Sequence, residues 1–234
     1  MKHSTGCQYC GEPLVYQSQA ARQVCVYCGG TFLSEVSCSA GHFVCDRCHS
    51  SEPSDLIEKY CLQSTSKNPV EIANILMSHP SVSMHGPEHH FLVPAVLLTC
   101  YNQVNPGGNL PKQLEQARKR AEGVPGGSCG FCGNCGAAVG TGIFISLITR
   151  TTPLSKEGWR LSNLVTAESL LSIAEHGGPR CCKRNTYLAL QSADAFLQKE
   201  FGTTLEMPES IRCDFSPLNK ECRKEACPFY NGDH

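Results

Sequence analysis

The sequence has no run of 18 apolar residues and almost no excess charge of either sign. Its formal net charge is −1 over 234 residues. The missing apolar run argues against a membrane-spanning helix, and the balanced charge provides no global attraction to nucleic acid or to an anionic membrane. Residues 1–6 also lack the apolar stretch of a signal peptide. We therefore expect a cytoplasmic protein whose partners include neither a membrane nor nucleic acid.

Cysteine is the residue that the sequence has in excess, with 17 in the chain. Thiols stay reduced in the cytoplasm, and an odd number of cysteines fits disulfide pairing poorly. This many cysteines therefore predicts metal ligation or thiol chemistry and not a disulfide framework. They form two groups, one between Cys7 and Cys48 and one between Cys129 and Cys227. Cys61 and Cys100 stand apart, and lone cysteines are usually small buried hydrophobic residues.

Two copies of a CxYCG knuckle open the chain, at residues 7–11 and 25–29. Two residues between the thiolates let both sulfurs reach one ion at about 2.3 Å. The glycine after the second cysteine permits the positive φ that such a turn often needs. Knuckles 14 residues apart are typical of a zinc ribbon. The predicted ligands of this zinc are Cys7, Cys10, Cys25 and Cys28.

A second set of metal-ligating residues follows, and its spacing predicts a second zinc ion. Its members are Cys38, His42, Cys45 and Cys48, with His49 as an alternative to His42. A cross-braced pairing, in which the first knuckle shares an ion with Cys38 and His42, fits the same spacings. A segment this small buries too little apolar surface to fold alone, so we expect the metals to stabilise it. Arg22 is the only basic residue between the knuckles, which favours a structural or docking role over nucleic-acid binding.

The character of the chain changes at a linker-like stretch, residues 50–54. We expect a β-rich zinc-ribbon module with one or two zinc ions in residues 1–50, and a mainly α-helical metal-binding domain with an iron–sulfur cluster in residues 55–234. Asn68, Pro69 and Glu71 are typical of a helix start. Apolar residues then recur with a period near 3.6. The further predicted helices cover 91–104 (entered through Pro94), 110–122, 136–148, 166–176 and 179–201.

The CxxCxxC segment within residues 126–136 is the most informative motif of the second domain. Cys129, Cys132 and Cys135 have the spacing that wraps three corners of a 4Fe-4S cubane, with the fourth ligand from elsewhere. The interleaved glycines let backbone amides approach the cluster, and a helix beginning near Gly136 would direct its positive end toward it. Zinc and redox-active thiols are the alternatives.

The basic segment 179–184 contains the adjacent cysteines Cys181 and Cys182. Neighbouring cysteines cannot easily bind the same face of a metal, so one is expected to ligate and the other to face a cavity. The basic side chains and the helix dipole would favour a thiolate, and the same cations could hold an anionic substrate. Cys181 and Arg180 are therefore candidate catalytic residues and Cys182 a candidate cluster ligand; two buried thiols at a basic helix start are the structural alternative.

Three more cysteines lie in the tail: Cys213, Cys222 and Cys227, the last followed by proline. A Cys-Pro ending also occurs at iron–sulfur ligands. With Cys181 or Cys182 these three would complete a second metal site, or one of them would complete the CxxCxxC cluster. The candidate cofactors are thus one or two zinc ions and one or two 4Fe-4S clusters. His89 and His90 are further candidates for acid–base roles, although helix capping and packing explain them equally well.

Residues 85–230 resemble an uncharacterised prokaryotic family of cysteine-rich proteins that is known by a domain-of-unknown-function label. The resemblance lies in the segments EHHF at 88–91, GSCGFCGNCGAAVGTG at 127–142, GGPRCCKR at 177–184, and the tail from Cys222 to Cys227-Pro228. Members of that family occur alone or behind a methyltransferase domain. The resemblance implies no established activity, and no GxGxG methyltransferase motif is present here.

Three functions are compatible with these residues. The first, which we predict and to which the other two are alternatives, is an iron–sulfur enzyme for substrate activation, sulfur transfer or lyase-type chemistry on an anionic small molecule. The second is a non-catalytic electron-transfer or cluster-carrier protein with a redox or sulfur partner protein. The third is an adaptor or regulator that binds only zinc. An iron left without a cysteine ligand would favour the first, because substrate could then bind to it.

Overall fold

The computed structural model describes residues 6–232 and divides them into a small β-hairpin region and a mainly helical remainder. The hairpin consists of β1 (Leu14–Val24) and β2 (Thr31–Cys38), which are antiparallel. Leu14 pairs with Cys38 and Val24 with Thr31, and the register is interrupted between Tyr16 and Ala21. The second CxYCG knuckle forms the connection between the strands. A short helix, α1 (Asp46–His49), then leads to the helical region.

Eight helices of the described chain build the larger part of the core. They are α2 (Pro53–Gln63), α3 (Pro69–Ser78), α4 (Glu88–Val104), α5 (Leu110–Glu122), α6 (Ser128–Phe131), α7 (Gly136–Ile148), α8 (Glu157–Glu175) and α9 (Cys182–Phe201). The predicted bounds of α5 and α7 are confirmed. α3 is capped as predicted, because the Asn68 side chain accepts hydrogen bonds from the amides of Val70 and Glu71. In the described part of the chain, no helix has the length and apolarity needed to cross a membrane.

The structure corrects three predicted helix starts. α4 begins at Glu88, so Pro94 lies inside the helix and not at its entry. α8 begins nine residues before the predicted position 166, at Glu157. α9 begins at Cys182, with Cys181 as its N-cap, and Pro179 lies outside it. The apolar period identified these three helices but not their starts, because the first turns of α4 and α8 are largely polar. α2 was not among the predicted helices, and its first residues lie in the stretch interpreted as a linker.

α4 lies at the centre of the helical region and packs against α2, α3, α5, α7 and α9. Every residue from 91 to 100 is buried, as expected for a helix that is apolar on all sides. α7 can approach it closely because Gly140 lies against Pro94 and the His90 carbonyl, where a Cβ would be 2.8 and 3.2 Å from those atoms. This close approach determines where the first turns of α7 lie against α4, and therefore where Cys135 lies.

The C-terminal tail packs over the beginning of α9. Cys213 forms an isolated β-bridge with Tyr230, and the Cys213 amide donates to the Phe229 carbonyl at 2.8 Å. Two short 3₁₀ turns, Ser216–Leu218 and Lys224–Ala226, shape the segment between them. The tail thereby brings its cysteines toward Cys181.

Candidate metal centres

The first group of metal-ligating residues joins the start of β1 to the end of β2. Because Cys38 pairs with Leu14, it lies beside the first knuckle, with its Sγ 3.8 Å from that of Cys10. The His42 Nδ1 lies 3.2 Å from the Cys10 Sγ and 3.4 Å from the Cys38 Sγ. With Cys7, these residues offer four ligand atoms within 4.8 Å of one another.

The second group forms where the hairpin tip meets the start of α1. A bridge between Cys25 and Phe43 places the second knuckle next to Cys45. The Sγ atoms of Cys28 and Cys45 are 3.9 Å apart, and the Cys45 amide donates to the Cys25 Sγ at 3.4 Å. With Cys48, the four sulfurs again lie within 4.8 Å of one another.

These two groups are cross-braced. The predicted zinc-ribbon pairing, in which both knuckles hold one ion, is therefore not the pairing that the structure shows. The register of the β-hairpin decides between the alternatives. It places Cys38 beside the first knuckle, and Cys45 and Cys48 lie beside the second knuckle. The positive φ predicted after each knuckle is confirmed at Gly11 (81°) and Gly29 (65°).

Each group contains a thiol that loses its proton readily. Burial opposes ionisation of Cys28, but hydrogen bonds from the Gly30 backbone and from the neighbouring cysteines lower its pKa to about 7. Burial also opposes ionisation of Cys38, and backbone hydrogen bonds from His42 and Ala40 outweigh it, so its pKa is lowered too. Metal uptake releases thiol protons, so such residues are suited to ligation.

The second group belongs to the same buried core as the helices. Tyr27, between the two cysteines of the knuckle, is fully buried and contacts Tyr60 of α2 and His79, with ring centroids 6.0 and 5.0 Å away. Gln63 of α2 donates to the Val26 carbonyl at 2.7 Å. The hairpin region and the helical region thus share an interface along α2.

The CxxCxxC segment forms a tight loop between α5 and α7. Cys129 lies in α6, Cys132 follows it, and Cys135 is the N-cap of α7. The Ser128 hydroxyl donates to the carbonyls of Pro125 and Asn134 at 2.8 and 3.1 Å and so closes the loop. The predicted position of these cysteines at the N-terminus of the helix that starts at Gly136 is confirmed.

The adjacent cysteines of the basic segment face different parts of the molecule. The Cys181 Sγ accepts from the amide of Arg184 at 3.5 Å and from the Asn219 side chain of the tail at 3.6 Å. Cys182 lies one turn before Asn185 on the same face of α9, and the Asn185 side chain donates to the Cys135 Sγ of the CxxCxxC loop at 3.4 Å. Burial, together with the charges of Cys135, Cys181 and Cys129, raises the pKa of Cys182 to about 11, against the effect of a backbone hydrogen bond from Gly86.

A third group of cysteines surrounds a small cavity under the tail. Cys181, Cys213, Cys222 and Cys227 line it, together with Arg184, Asn219 and Arg223. Burial raises the pKa of Cys213 to about 11, and the charges of the other three cysteines act in the same direction. Within residues 6–232, no three of the cysteines from 129 onward bring their sulfurs within 4.8 Å of one another. Their spacing is therefore wider than that of the two N-terminal groups.

An open cleft of about 770 Å³ lies over the CxxCxxC loop. Its lining includes Cys129 and Cys135, apolar residues of α8 such as Leu170 and Leu171, and the exposed Arg180. Among the basic residues of the segment 179–184, only Arg180 is free to meet a ligand there by its side chain: the buried Lys183 donates to the carbonyls of Met77 and Val82, and Arg184 donates to those of Gly177 and Pro179.

The other candidate catalytic groups lie in packed surroundings. Burial raises the pKa of Cys181, in spite of the opposing Arg184, so the expected thiolate is not favoured there in the absence of a metal. His89 is buried, and its burial lowers its pKa well below the usual value, with Lys183 adding to the effect. His90 lies against Gly136, with its Nδ1 3.1 Å from the Val124 carbonyl. Burial also lowers the pKa of His90.

Two residues near the sulfurs have no counterpart among the predicted site residues, namely Asn185 and Asn219. Asn185 follows Cys182 at helical spacing, a signal that the sequence already contained. Asn219 reaches Cys181 only through the fold of the tail, since 38 residues separate them.

Comparison with known proteins extends the resemblance seen in the motifs. The model of a family of unknown function (DUF5714) matches residues 57–230. No curated protein and no solved structure is similar enough to the chain to count as a match.

Proposed function

The chain belongs to this family of unknown function, whose model covers most of it, and from that premise we propose that it is an iron–sulfur electron-transfer protein with two structural zinc ions. The cluster is a 4Fe-4S unit held by Cys129, Cys132, Cys135 and Cys182. The observation that carries the proposal is that Cys181 contacts the tail, whereas Cys182 shares a helix face with Asn185, whose side chain donates to the Cys135 sulfur of the CxxCxxC loop. With four cysteine ligands, every iron is occupied and the cluster is left to accept and donate electrons.

The two kinds of metal differ in the sulfur spacing that they require. A tetrahedral zinc with 2.3 Å bonds holds its sulfurs about 3.8 Å apart, and the N-terminal groups have sulfur distances of 3.8 and 3.9 Å. The corners of a cubane are four different irons, so its cysteine sulfurs lie further apart. A cluster accommodates the wider spacing of the C-terminal cysteines.

The surroundings of the loop also suit an anionic cluster. The N-terminus of α7 follows Cys135 and presents its positive end. The Asn185 amide donates to the Cys135 sulfur, a type of hydrogen bond that adjusts cluster potential. Cys132 is exposed and the cleft is open, so a redox partner can approach the cluster closely.

A second candidate function is a cluster-dependent enzyme. The specific observation in its favour is that Arg180 lines the same cleft as Cys129 and Cys135, where an anionic substrate would meet the cluster. This function needs an iron without a cysteine ligand, and hence a cluster in which Cys182 does not participate.

Anaerobic reconstitution with iron and sulfide tests the proposal. We expect the Cys132→Ala variant to lose about four iron atoms per chain and to keep the N-terminal zinc, whereas Cys61→Ala, which removes a buried thiol of α2, keeps both metals. Zinc in place of iron at this loop in the wild-type protein would refute the iron–sulfur assignment.

Electron paramagnetic resonance with an added thiol separates the two candidate functions. If Cys182 is a ligand, β-mercaptoethanol leaves the spectrum of the reduced wild-type protein unchanged and alters that of Cys182→Ser, because only the variant has an open iron. A change in the wild-type spectrum would favour the enzyme instead.

A further inference from the structure

We propose a second 4Fe-4S site, held by Cys181, Cys213, Cys222 and Cys227, which is joined to the first through the Cys181–Cys182 peptide and exchanges electrons with it. This inference rests on the proposed function and adds a second redox centre to it. Cys181, until this point a candidate catalytic residue, is a cluster ligand in this assignment.

The fold of the tail gathers these four cysteines around one cavity. The bridge between Cys213 and Tyr230 closes the tail into a loop that contains Cys222 and Cys227. Asn219, inside that loop, donates to the Cys181 sulfur and attaches the loop to α9. All four cysteines line the cavity.

The chemistry of the cavity suits an anionic cluster. Backbone amides already donate to two of the sulfurs, that of Arg184 to Cys181 and that of Lys224 to Cys222. Arg184 and Arg223 line the cavity and supply two positive charges, against the single carboxylate of Glu221. No three of these sulfurs lie within 4.8 Å of one another, and a cluster accommodates this wider spacing because each sulfur binds a different iron.

The junction of the two sites is one peptide unit. Cys181 is the N-cap of α9 and contacts the tail, whereas Cys182, the first residue of the helix, shares a face with Asn185, which donates to the Cys135 sulfur of the CxxCxxC loop. Consecutive Cα atoms are about 3.8 Å apart, so a short covalent path connects the two clusters. The run of cysteines in bacterial two-cluster ferredoxins is divided between clusters in a comparable manner.

Electron exchange follows from this proximity. Dithionite supplies one electron to each cluster, and each changes from the 2+ to the 1+ state. The spins of two reduced clusters so close together interact, and the paramagnetic resonance spectrum is then broadened. When only one cluster is present, the spectrum is that of an isolated centre.

The decisive experiment compares the reconstituted full-length protein with its Cys222→Ser and Cys227→Ser variants, with Ser216→Ala as a cavity control. We expect about eight iron atoms per chain in the wild type and in the control, about four in the cysteine variants, and loss of the broadening in those variants. Cys132→Ala should leave the second cluster in place.

The outcomes separate this inference from the proposed function. If the wild type holds about four iron atoms and all of them survive Cys222→Ser, the second site is refuted and the first stands. Zinc bound under the tail would also refute the second site. If the wild type takes up no iron, both fall.

Discussion

The adjacent cysteines illustrate how one residue position changes a chemical role. Cys181 precedes the first helical residue of α9 and its sulfur turns back to the helix amides and the tail. Cys182 lies on the helix and shares a face with Asn185, which meets Cys135. Helix capping thus places two neighbouring thiols in different surroundings.

His79 is a buried residue whose titration affects stability. Burial lowers its pKa to about 4, and the charge of His49 contributes in the same direction. The neutral ring accepts a hydrogen bond from the Ser81 amide at Nδ1 and packs edge-on against Tyr27. A histidine whose pKa is depressed in the folded state is fully stabilising only above its unfolded value near 6.5. Its contribution is lost as pH falls toward 4.

The His79→Asn substitution tests this effect. Asparagine keeps an acceptor near the Ser81 amide but does not titrate. We expect the free energy of unfolding of the wild type to fall by roughly 2–3 kcal/mol more than that of the variant between pH 6.5 and pH 4. Denaturant titrations at several pH values measure the difference. Parallel pH profiles for the two proteins would contradict the assignment. Both proteins lose metal in acid, and comparing their profiles removes this shared effect on stability.

At the scale of the elements, the contact between α4 and α7 depends on glycine. A Cβ at Gly140 would lie 2.8 Å from the Pro94 ring, 3.0 Å from the Val93 Cβ and 3.2 Å from the His90 carbonyl. The Pro94 ring and the His90 carbonyl belong to the backbone of α4 and cannot move aside, so the two helices would have to separate. The same interface sets the position of Cys135 at the start of α7.

The Gly140→Ala variant should therefore be less stable by about 1–3 kcal/mol, although alanine favours helix elsewhere. Gly126→Ala is the matched control, because nothing lies within 4 Å of the Cβ it would add. Thermal unfolding of both variants measures the difference. If Gly140→Ala is as stable as the control, the two helices are not in close contact.

At the scale of the whole molecule, the second metal group connects the hairpin region with the helices. Cys25, Cys45 and Cys48 belong to the same buried core as Leu56 and Tyr60 of α2. The first group, with the exposed Cys10, lies outside that core. Loss of the two metals should therefore have different consequences for the helical region.

Hydrogen exchange across α2 tests this difference. We expect Cys25→Ser to release the metal of the second group and to increase exchange in α2 (Pro53–Gln63) by tenfold or more, because a core contact loosens. Cys10→Ser, which removes the metal of the first group, should leave exchange there unchanged. Equal protection of α2 in both variants would show that the two regions are independent, as the linker-like stretch at 50–54 suggested.

Local sequence by itself determined the helices with a strong apolar period, the cap at Asn68, the knuckles and their glycines, and the cysteines that could ligate metal. Each of these depends on residues within a few positions of one another. Only the tertiary structure decided which cysteines lie together. The register of the β-hairpin places Cys38 beside the first knuckle, and the start of α9 separates the surroundings of Cys181 from those of Cys182. Ligand spacing restricts which cysteines can share an ion along the chain, but distant partners meet only when strands pair, helices pack and the tail folds back.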